Sequence, residues 1–325
     1  MNEYRPLSEE EWIAMSPALE RCGVYSSKTV SRFVDTKLDK IYDVYLLDHN
    51  RKSILKKTSA AETDMGVYTR YFSGHDFAVP TIFSTFTVGE EHFMQMEFAE
   101  GSDARGCSES EGNRIGEALA EIQSCYLTGG GRTERAESYF RYQISKQIAV
   151  IRPYFMEFDE VFHFVEQRFF EAPQTLIHDD LLPINVLLNE DSIRIIDWEY
   201  ADILPYFLDL GRFAFVYDAE NHFYISHGTA EAFLKGYYCR IKQNPKFCIS
   251  EKAFRLDIAI STFCQYVLFL ACSLNKPDAA PSAQITESID KTYLQNIMRY
   301  IRSAMMEFSF LFDYKTFKNK SGCRN

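Results

Sequence analysis

The chain has 325 residues, 46% of them apolar and 25% charged. That is the composition of a folded globular protein, and the length exceeds what one hydrophobic core usually organises, so two domains are expected. A formal net charge of −11 argues against general nucleic-acid binding or attachment to anionic membranes, both of which need a positive face. Eight scattered cysteines without a C-x-x-C pair supply neither a zinc site nor a disulfide framework, which points to a reducing cytoplasm.

The opening MNEYRPLSEEEW has no basic segment followed by an apolar run, so no secretory leader is expected. Ser8 and Glu11 have capping-box spacing and open a helix toward Leu19. Residues 30–34 and 41–47 read as strands around a polar bend, and 53–56 as a third strand after the His49-Asn50 turn. Residues 62–72 carry a helical pattern that Ser73-Gly74 closes. Two more strands, 81–88 and 92–98, flank Gly89-Glu90-Glu91. The polar stretch 101–112 then places a boundary near residue 98, dividing the chain into 1–98 and 99–325. Helices are predicted over 111–126, 137–154 and 158–170, and again from 208 to 312. The apolar stretch 257–274 contains Ser261, Thr262, Gln265 and Ser273, which suits a buried helix better than a membrane span.

Residues 175–197 interrupt the helices. Thr175-Leu176-Ile177 reads as a short buried strand ending at His178-Asp179-Asp180. Asn185 opens a second strand, Asn189-Glu190-Asp191 turns it, and 192–196 return to Asp197. So short a hairpin brings its ends together, so Asp180, Asn185 and Asp197 are expected to face one small volume. Each alone reads as a turn cap or a strand end. Together they form an oxygen-rich set suited to Mg²⁺, which prefers oxygen ligands. Phosphoryl transfer needs a carboxylate near the attacking hydroxyl and metal ligands that neutralise the phosphates.

HDDLLPIN and IIDWE resemble the catalytic and metal-binding loops of the aminoglycoside/choline phosphotransferase family, relatives of the protein kinases. The resemblance implies an α+β, two-lobed protein-kinase-like fold. Its small N-terminal antiparallel-sheet lobe (1–98) would bind nucleotide, and its larger, mainly helical C-terminal lobe (99–325) would carry catalysis and substrate. It implies ATP and Mg²⁺ as cofactors, Asp180 as catalytic base, and Asn185 and Asp197 as metal ligands. Asp209, in Leu208-Asp209-Leu210, would brace the catalytic loop, and His178 would support it. Ile54-Leu55-Lys56 resembles the strand whose lysine grips the α- and β-phosphates, with Lys57 as the alternative register and Glu62 as the ion-pair partner. Residues 93–98 resemble the strand leading to the adenine hinge, around Met96 to Phe98. Residues 115–122, and Phe233 with Gly236-Tyr237, resemble two further helices of the family. The chain departs from the pattern in its glycine-free stretch 33–41, in Asp179 where a glycine is usual, and in Gln123 where a histidine is frequent.

The expected activity is transfer of the γ-phosphoryl group of ATP to a hydroxyl of a small molecule, with no nucleic-acid or membrane partner. The negative charge leans toward a cationic acceptor, such as an aminoglycoside or a choline-like amine, with Glu199, Asp202, Asp218 and Glu220 as candidate contacts. Only eleven residues separate Asp197 from Asp209, too few for the activation segment of a regulated protein kinase. Two rivals stand beside this reading. One is a non-catalytic kinase-like protein that binds nucleotide or a partner. The other is a metal-dependent phosphohydrolase, which leaves Lys56 and Glu62 unexplained.

Overall fold

A computed structural model describes residues 2–35, 40–58, 64–214, 225–275 and 291–311. In chain order its elements begin with β1 (Asn2–Pro6), α1 (Glu9–Arg21), β2 (Val30–Asp35), β3 (Lys40–His49), β4 (Arg51–Thr58), α2 (Asp64–Val67), β5 (Ile82–Val88), β6 (Glu91–Glu97) and β7 (Ser102–Asp103). There follow α3 (Glu109–Cys125), α4 (Glu134–Tyr139), α5 (Lys146–Ile151), α6 (Asp159–Glu171), β8 (Gln174–Ile177), β9 (Val186–Leu188), β10 (Ile193–Ile195) and β11 (Asp202–Pro205). The last are α7 (Phe207–Ala214), α8 (His227–Ile241), α9 (Glu251–Asn275) and α10 (Lys291–Leu311). They form two compact units, residues 1–104 with 184–201, and residues 105–183 with 202–325. The first unit thus runs past residue 98 and takes in a later segment.

The first unit is built on an antiparallel sheet of order β1-β2-β3-β4-β6-β5. Asn50 turns β3 into β4 with φ +54°, a left-handed conformation that asparagine tolerates better than most residues. The capping box of Ser8 and Glu11 is present at the start of α1. Glu11 also pairs with Arg5 on β1 and Arg32 on β2, and the Arg5 hydrogen bonds hold its carboxyl well below the usual range. Met15, Ala18 and Leu19 of α1 pack on Val30, Tyr45, Leu47, Leu55 and Phe93 of the sheet. Burying Met15 and Leu19 contributes about 1.5–3 kcal/mol each, which helps keep the helix on its sheet. The strand β1 was not predicted. Its pairing with β2 recruits a segment, NEYRP, that has no alternating pattern of its own.

A second small sheet of order β10-β9-β7 completes this unit. Asn189 closes its β9–β10 turn by accepting from the Asp191 and Ser192 amides at 3.0 and 2.7 Å. Ala104 N donates to Val186 O at 2.9 Å and Ile195 N to Ala78 O at 2.7 Å, so the hairpin is tied on both sides to earlier chain.

The second unit is mainly helical. Ser108 and Glu111 form a capping box that starts α3, and α3 packs against α8 at glycines. A Cβ on Gly116 would lie 2.1 Å from Phe233 O, and one on Gly236 would lie 2.3 Å from Asn113 O. The predicted helix 137–154 is instead α4, a π turn (Phe140–Ser145), α5 and a 3-10 turn, and it starts earlier because Thr133 caps the Ala136 amide. β8 pairs with β11, a strand the sequence did not announce. Arg168 and Asp257 form a buried ion pair at 2.6 and 2.7 Å, and the Tyr206 hydroxyl donates to Asp257 at 2.6 Å. With its partners satisfied, the buried pair is tolerated; removing one member would strand a charge. Among the described residues, no helix is long and apolar enough to cross a membrane. The architecture is the expected α+β arrangement of a small antiparallel-sheet unit and a larger helical one.

Candidate active site

In the first unit the site starts from Lys56. Its position on β4, opposite Val44 on β3 and Met94 on β6, leaves the ammonium mostly buried. Nζ donates to Asp197 Oδ1 at 2.8 Å and makes a short ion pair with Asp64 Oδ2. Burial alone would lower the lysine pKa, but the two carboxylates outweigh it and the net shift is upward. Burial also raises the Asp64 carboxyl, opposed by Lys56. Lys57, the other register left open by the sequence, pairs instead with Glu91. Glu62 lies outside the described residues. Asp64, at the first position of α2, is with Asp197 one of two carboxylates among the described residues that meet Lys56. The missed signal was simply a second acidic residue near the same helix start.

Asp197 follows β10 in a left-handed conformation, φ +66°. Next to it Trp198 is fully buried, donates Nε1 to Ile195 O at 2.9 Å, and meets Phe72 edge-on with centroids 4.8 Å apart. A buried anchor on one side and Lys56 on the other hold Asp197 at the turn. Asn185 is 8% exposed, and its carbonyl accepts from Ile196 N at 2.9 Å. The hairpin register therefore puts Asn185 beside the residue that precedes Asp197. Both offer oxygen, as Mg²⁺ requires, and such an ion usually takes only one or two protein carboxylates and keeps waters and phosphate in its shell. Among the described residues, no cluster of three or more His, Cys, Asp or Glu side chains competes as a metal cage. The donor set fits Mg²⁺.

Of the predicted hinge residues, Met96 is buried on β6 opposite Ile54. Phe98 lies just beyond β6 with the Lys52 ammonium 5.7 Å from its ring centroid. Phe98, Ala99 and Glu100 line a cavity of ≈ 370 Å³ together with Arg51, Lys52 and Arg194. Arg194 is neutralised there by Glu97, at 3.1 Å.

In the second unit the loop after β8 is organised by Asp209. Its Oδ2 accepts from His178 N at 2.8 Å and Gln123 Nε2 at 2.9 Å, and its Oδ1 accepts from Asp179 N at 3.0 Å. Gln123 in turn accepts from the Tyr237 hydroxyl at 2.6 Å. Gln123 thus joins the loop to α3 and α8. Burial pushes Asp209 up to about 7 against the pull of these donors. His178 is fully buried, and its Nδ1 accepts from Asp180 N at 3.3 Å, the supporting place expected of it. Asp179 has φ +65°, and its Oδ1 accepts from the Tyr139 hydroxyl at 2.5 Å. Burial pushes Asp179 up to about 7, opposed by Tyr139 and Arg212.

Asp180 emerges from this frame with its side chain 30% exposed and receives Arg212 Nη2 on Oδ1 at 2.8 Å. Sequence reasoning missed Arg212 and Tyr139. For Arg212 a signal existed, since it stands three residues beyond Asp209, the spacing of neighbours on one helix face. For Tyr139, 40 residues upstream of its partner, none did. Lys56, Asn185 and Asp197 belong to the first unit and Asp180 to the second. Of the acidic residues considered for a cationic acceptor, Glu199 is exposed and Asp202 pairs with Arg135. Asp218 and Glu220 lie outside the described residues.

A sequence profile described as the phosphotransferase enzyme family matches residues 33–240. The homoserine kinase of Zymomonas mobilis is 26% identical over 140 residues, which are 42% of this chain and 41% of that kinase. The chain thus covers less than half the length of that curated relative. Among solved structures, a choline/ethanolamine kinase family protein from Mesorhizobium loti is similar at TM-score 0.45 and 14% identity, covering 85% of each chain. The choline kinase of Cryptosporidium parvum is similar at TM-score 0.46 and 14% identity, over 89% of each. A thermostable mutant of an aminoglycoside phosphotransferase, in complex with ADP and hygromycin B, gives TM-score 0.46 and 15% identity over 89% of this chain and 97% of that one.

Proposed function

Because the chain belongs to the phosphotransferase enzyme family, whose profile spans residues 33–240, we propose that it transfers the γ-phosphoryl group of ATP to a hydroxyl of a small molecule. The observation that carries this reading is the Lys56 ammonium held between Asp64 and Asp197. An isolated strand lysine would be a solvated charge, whereas this one is fixed beside a carboxylate suited to a metal. In the proposed reaction Lys56 binds the phosphates and Asp64 keeps it aimed. Asn185 and Asp197 would hold Mg²⁺, which would neutralise phosphate charge. Asp180 accepts a hydrogen bond from the acceptor hydroxyl and takes its proton as the new P–O bond forms. The bond from Pγ to the β–γ bridging oxygen breaks, and ADP leaves with that oxygen. Most of the rate enhancement comes from positioning and charge neutralisation.

We infer an amine-bearing alcohol as the acceptor class. The support is the net charge of −11 and the kinship to a homoserine kinase, named for a hydroxylated amino acid. Cys22, Cys107, Cys125, Cys239, Cys248 and Cys264 are free thiols, which supports a cytoplasmic setting.

The test is acceptor-dependent ADP formation across hydroxylated amines and neutral sugars, with Mg²⁺ present or chelated. Asp180→Asn should lower kcat by about 10²–10⁴-fold, the usual contribution of a positioned base. Full turnover by that variant would remove Asp180 from its role. Phosphate release without an acceptor would favour a hydrolase, and no binding of Mg-ATP would favour a non-catalytic protein. Neutral sugars outperforming every amine would end the cationic-acceptor reading.

A further inference from the structure

The loop HDDLLPIN contains no lysine or arginine, although its Asp180 is the proposed base beside an anionic phosphoryl group. When an acceptor hydroxyl donates to Asp180, its oxygen must also lie about 3–3.5 Å from the phosphorus it attacks. The carboxylate and the equatorial phosphoryl oxygens then come close to one another. Two unit charges 4 Å apart repel by about 1 kcal/mol in water and about 4 kcal/mol at the effective dielectric of a protein surface. A cation at this point would relieve that repulsion.

Arg212 is placed to do so. Nη2 donates to Asp180 Oδ1 at 2.8 Å and Nη1 to Gln265 Oε1 on α9 at 3.1 Å. The arginine and aspartate side chains are 19% and 30% exposed, so the pair is largely shielded yet partly accessible. The backbone that carries Arg212 is fixed. Asp209, three residues before it, holds the loop amides of His178 and Asp179. Gly211 sits so close to α9 that a Cβ there would lie 2.1 Å from Ser261 Oγ. A planar guanidinium presents five N–H donors in a rigid fork that matches both carboxylate and phosphate.

We propose that Arg212 is a catalytic residue of the transfer step, supplying the positive charge that meets Asp180 and the transferring phosphoryl group together. The inference rests on the phosphotransferase reading above. Its rival is a purely structural arginine that only steadies Asp180 from Gln265.

The experiment compares Arg212→Lys, Arg212→Gln, Arg212→Met and Arg212→Ala in the full chain, by steady-state kinetics and by binding of ADP with aluminium fluoride and acceptor. Loss of one such electrostatic donor is expected to lower kcat by about 10²–10³-fold in the Gln and Met variants, with KM for ATP within about threefold. Arg212→Lys should retain more kcat than either, because it keeps the charge. The aluminium fluoride complex, which mimics the transferring group, should form tightly only where a cation stands at 212. Added guanidinium should restore part of the kcat of Arg212→Ala. Equal activity of the Lys and Met variants would overturn the proposal, as would tight aluminium fluoride binding by Arg212→Met. Should the Met variant fail to fold, the Lys and Gln pair decides on the same criteria. Wild-type protein that makes no acceptor-dependent ADP would defeat the phosphotransferase reading itself, a result distinct from active wild type with an indifferent position 212.

Discussion

Asp179 occupies a left-handed backbone position and buries its carboxyl against Tyr139. Burial raises it from an ordinary 3.8 to about 7, so the folded state binds its proton more tightly than the unfolded chain does. Its contribution to stability is therefore fully present below about pH 4 and is lost as pH rises through 7. Asp209 shifts the same way, and a comparison of variants separates the two. Asp179→Asn keeps an acceptor for Tyr139 and tolerates positive φ. Its urea midpoint should gain on wild type between pH 5 and pH 8; a constant difference would show that Asp179 does not titrate there. Lys56 and Lys57 give a second comparison. A hydrogen bond to a charged group contributes about 1.5–3 kcal/mol, so Lys56→Met should lose about 10–100-fold in kcat/KM for ATP. Lys57→Met, which breaks only the pair with Glu91, should remain near wild type. The nearness of Asn185 to the residue before Asp197 was legible because one short hairpin, 185–197, carries both. Asp64 was not, since its reach to Lys56 depends on the fold rather than on a sequence pattern. Tyr139 reaches its partner across 40 residues, and no local pattern encodes that contact; Arg212, whose partner is 32 residues away, showed only in its three-residue step from Asp209.

At the level of elements, the strands β2 to β6 and the β9–β10 hairpin were readable from apolar runs punctuated by turn residues. β1 and β11 were not, because partner strands rather than their own composition make them extended. The packing of α3 on α8 was visible only as two matched helices in sequence; the glycines that let their backbones meet gave no sign of it. Gly116→Ala or Gly236→Ala must push carbonyl oxygens that now lie 2.1 and 2.3 Å from the added Cβ. Overpacking of this kind costs about 1–3 kcal/mol, to be read as a lower denaturation midpoint with an unchanged slope. Gly129→Ala, where a Cβ would meet nothing within 4 Å, is the control. Because Gln123 on α3 and Tyr237 on α8 reach Asp209, the Gly116 and Gly236 variants should also lose activity before they lose overall structure.

For the molecule as a whole, a composition change placed the boundary near residue 98, while the first unit runs to residue 104 and includes 184–201. That return is set by distant contacts such as Arg194 with Glu97 and the Ile195 amide with the Ala78 carbonyl, which a reading in chain order does not register. Ligand binding gives a test on the same scale. Mg-ATP at a hundred times its Kd should stabilise the chain by about 2.7 kcal/mol, a rise of several degrees in Tm. Chelating Mg²⁺ should remove most of that rise, and Asp197→Asn should reduce it; an undiminished rise under chelation would separate nucleotide binding from the metal.

The return of 184–201 also sets a timetable for synthesis. Residues 105–183 must be made between the two parts of the first unit, an interval of about 4–16 s at 5–20 residues per second. Through that interval the Ala78 carbonyl, the Ala104 amide and Glu97 wait without the hairpin that later pairs with them. The nascent first unit is thus a sheet with an unfilled flank, open to wrong partners until the ribosome has passed residue 201.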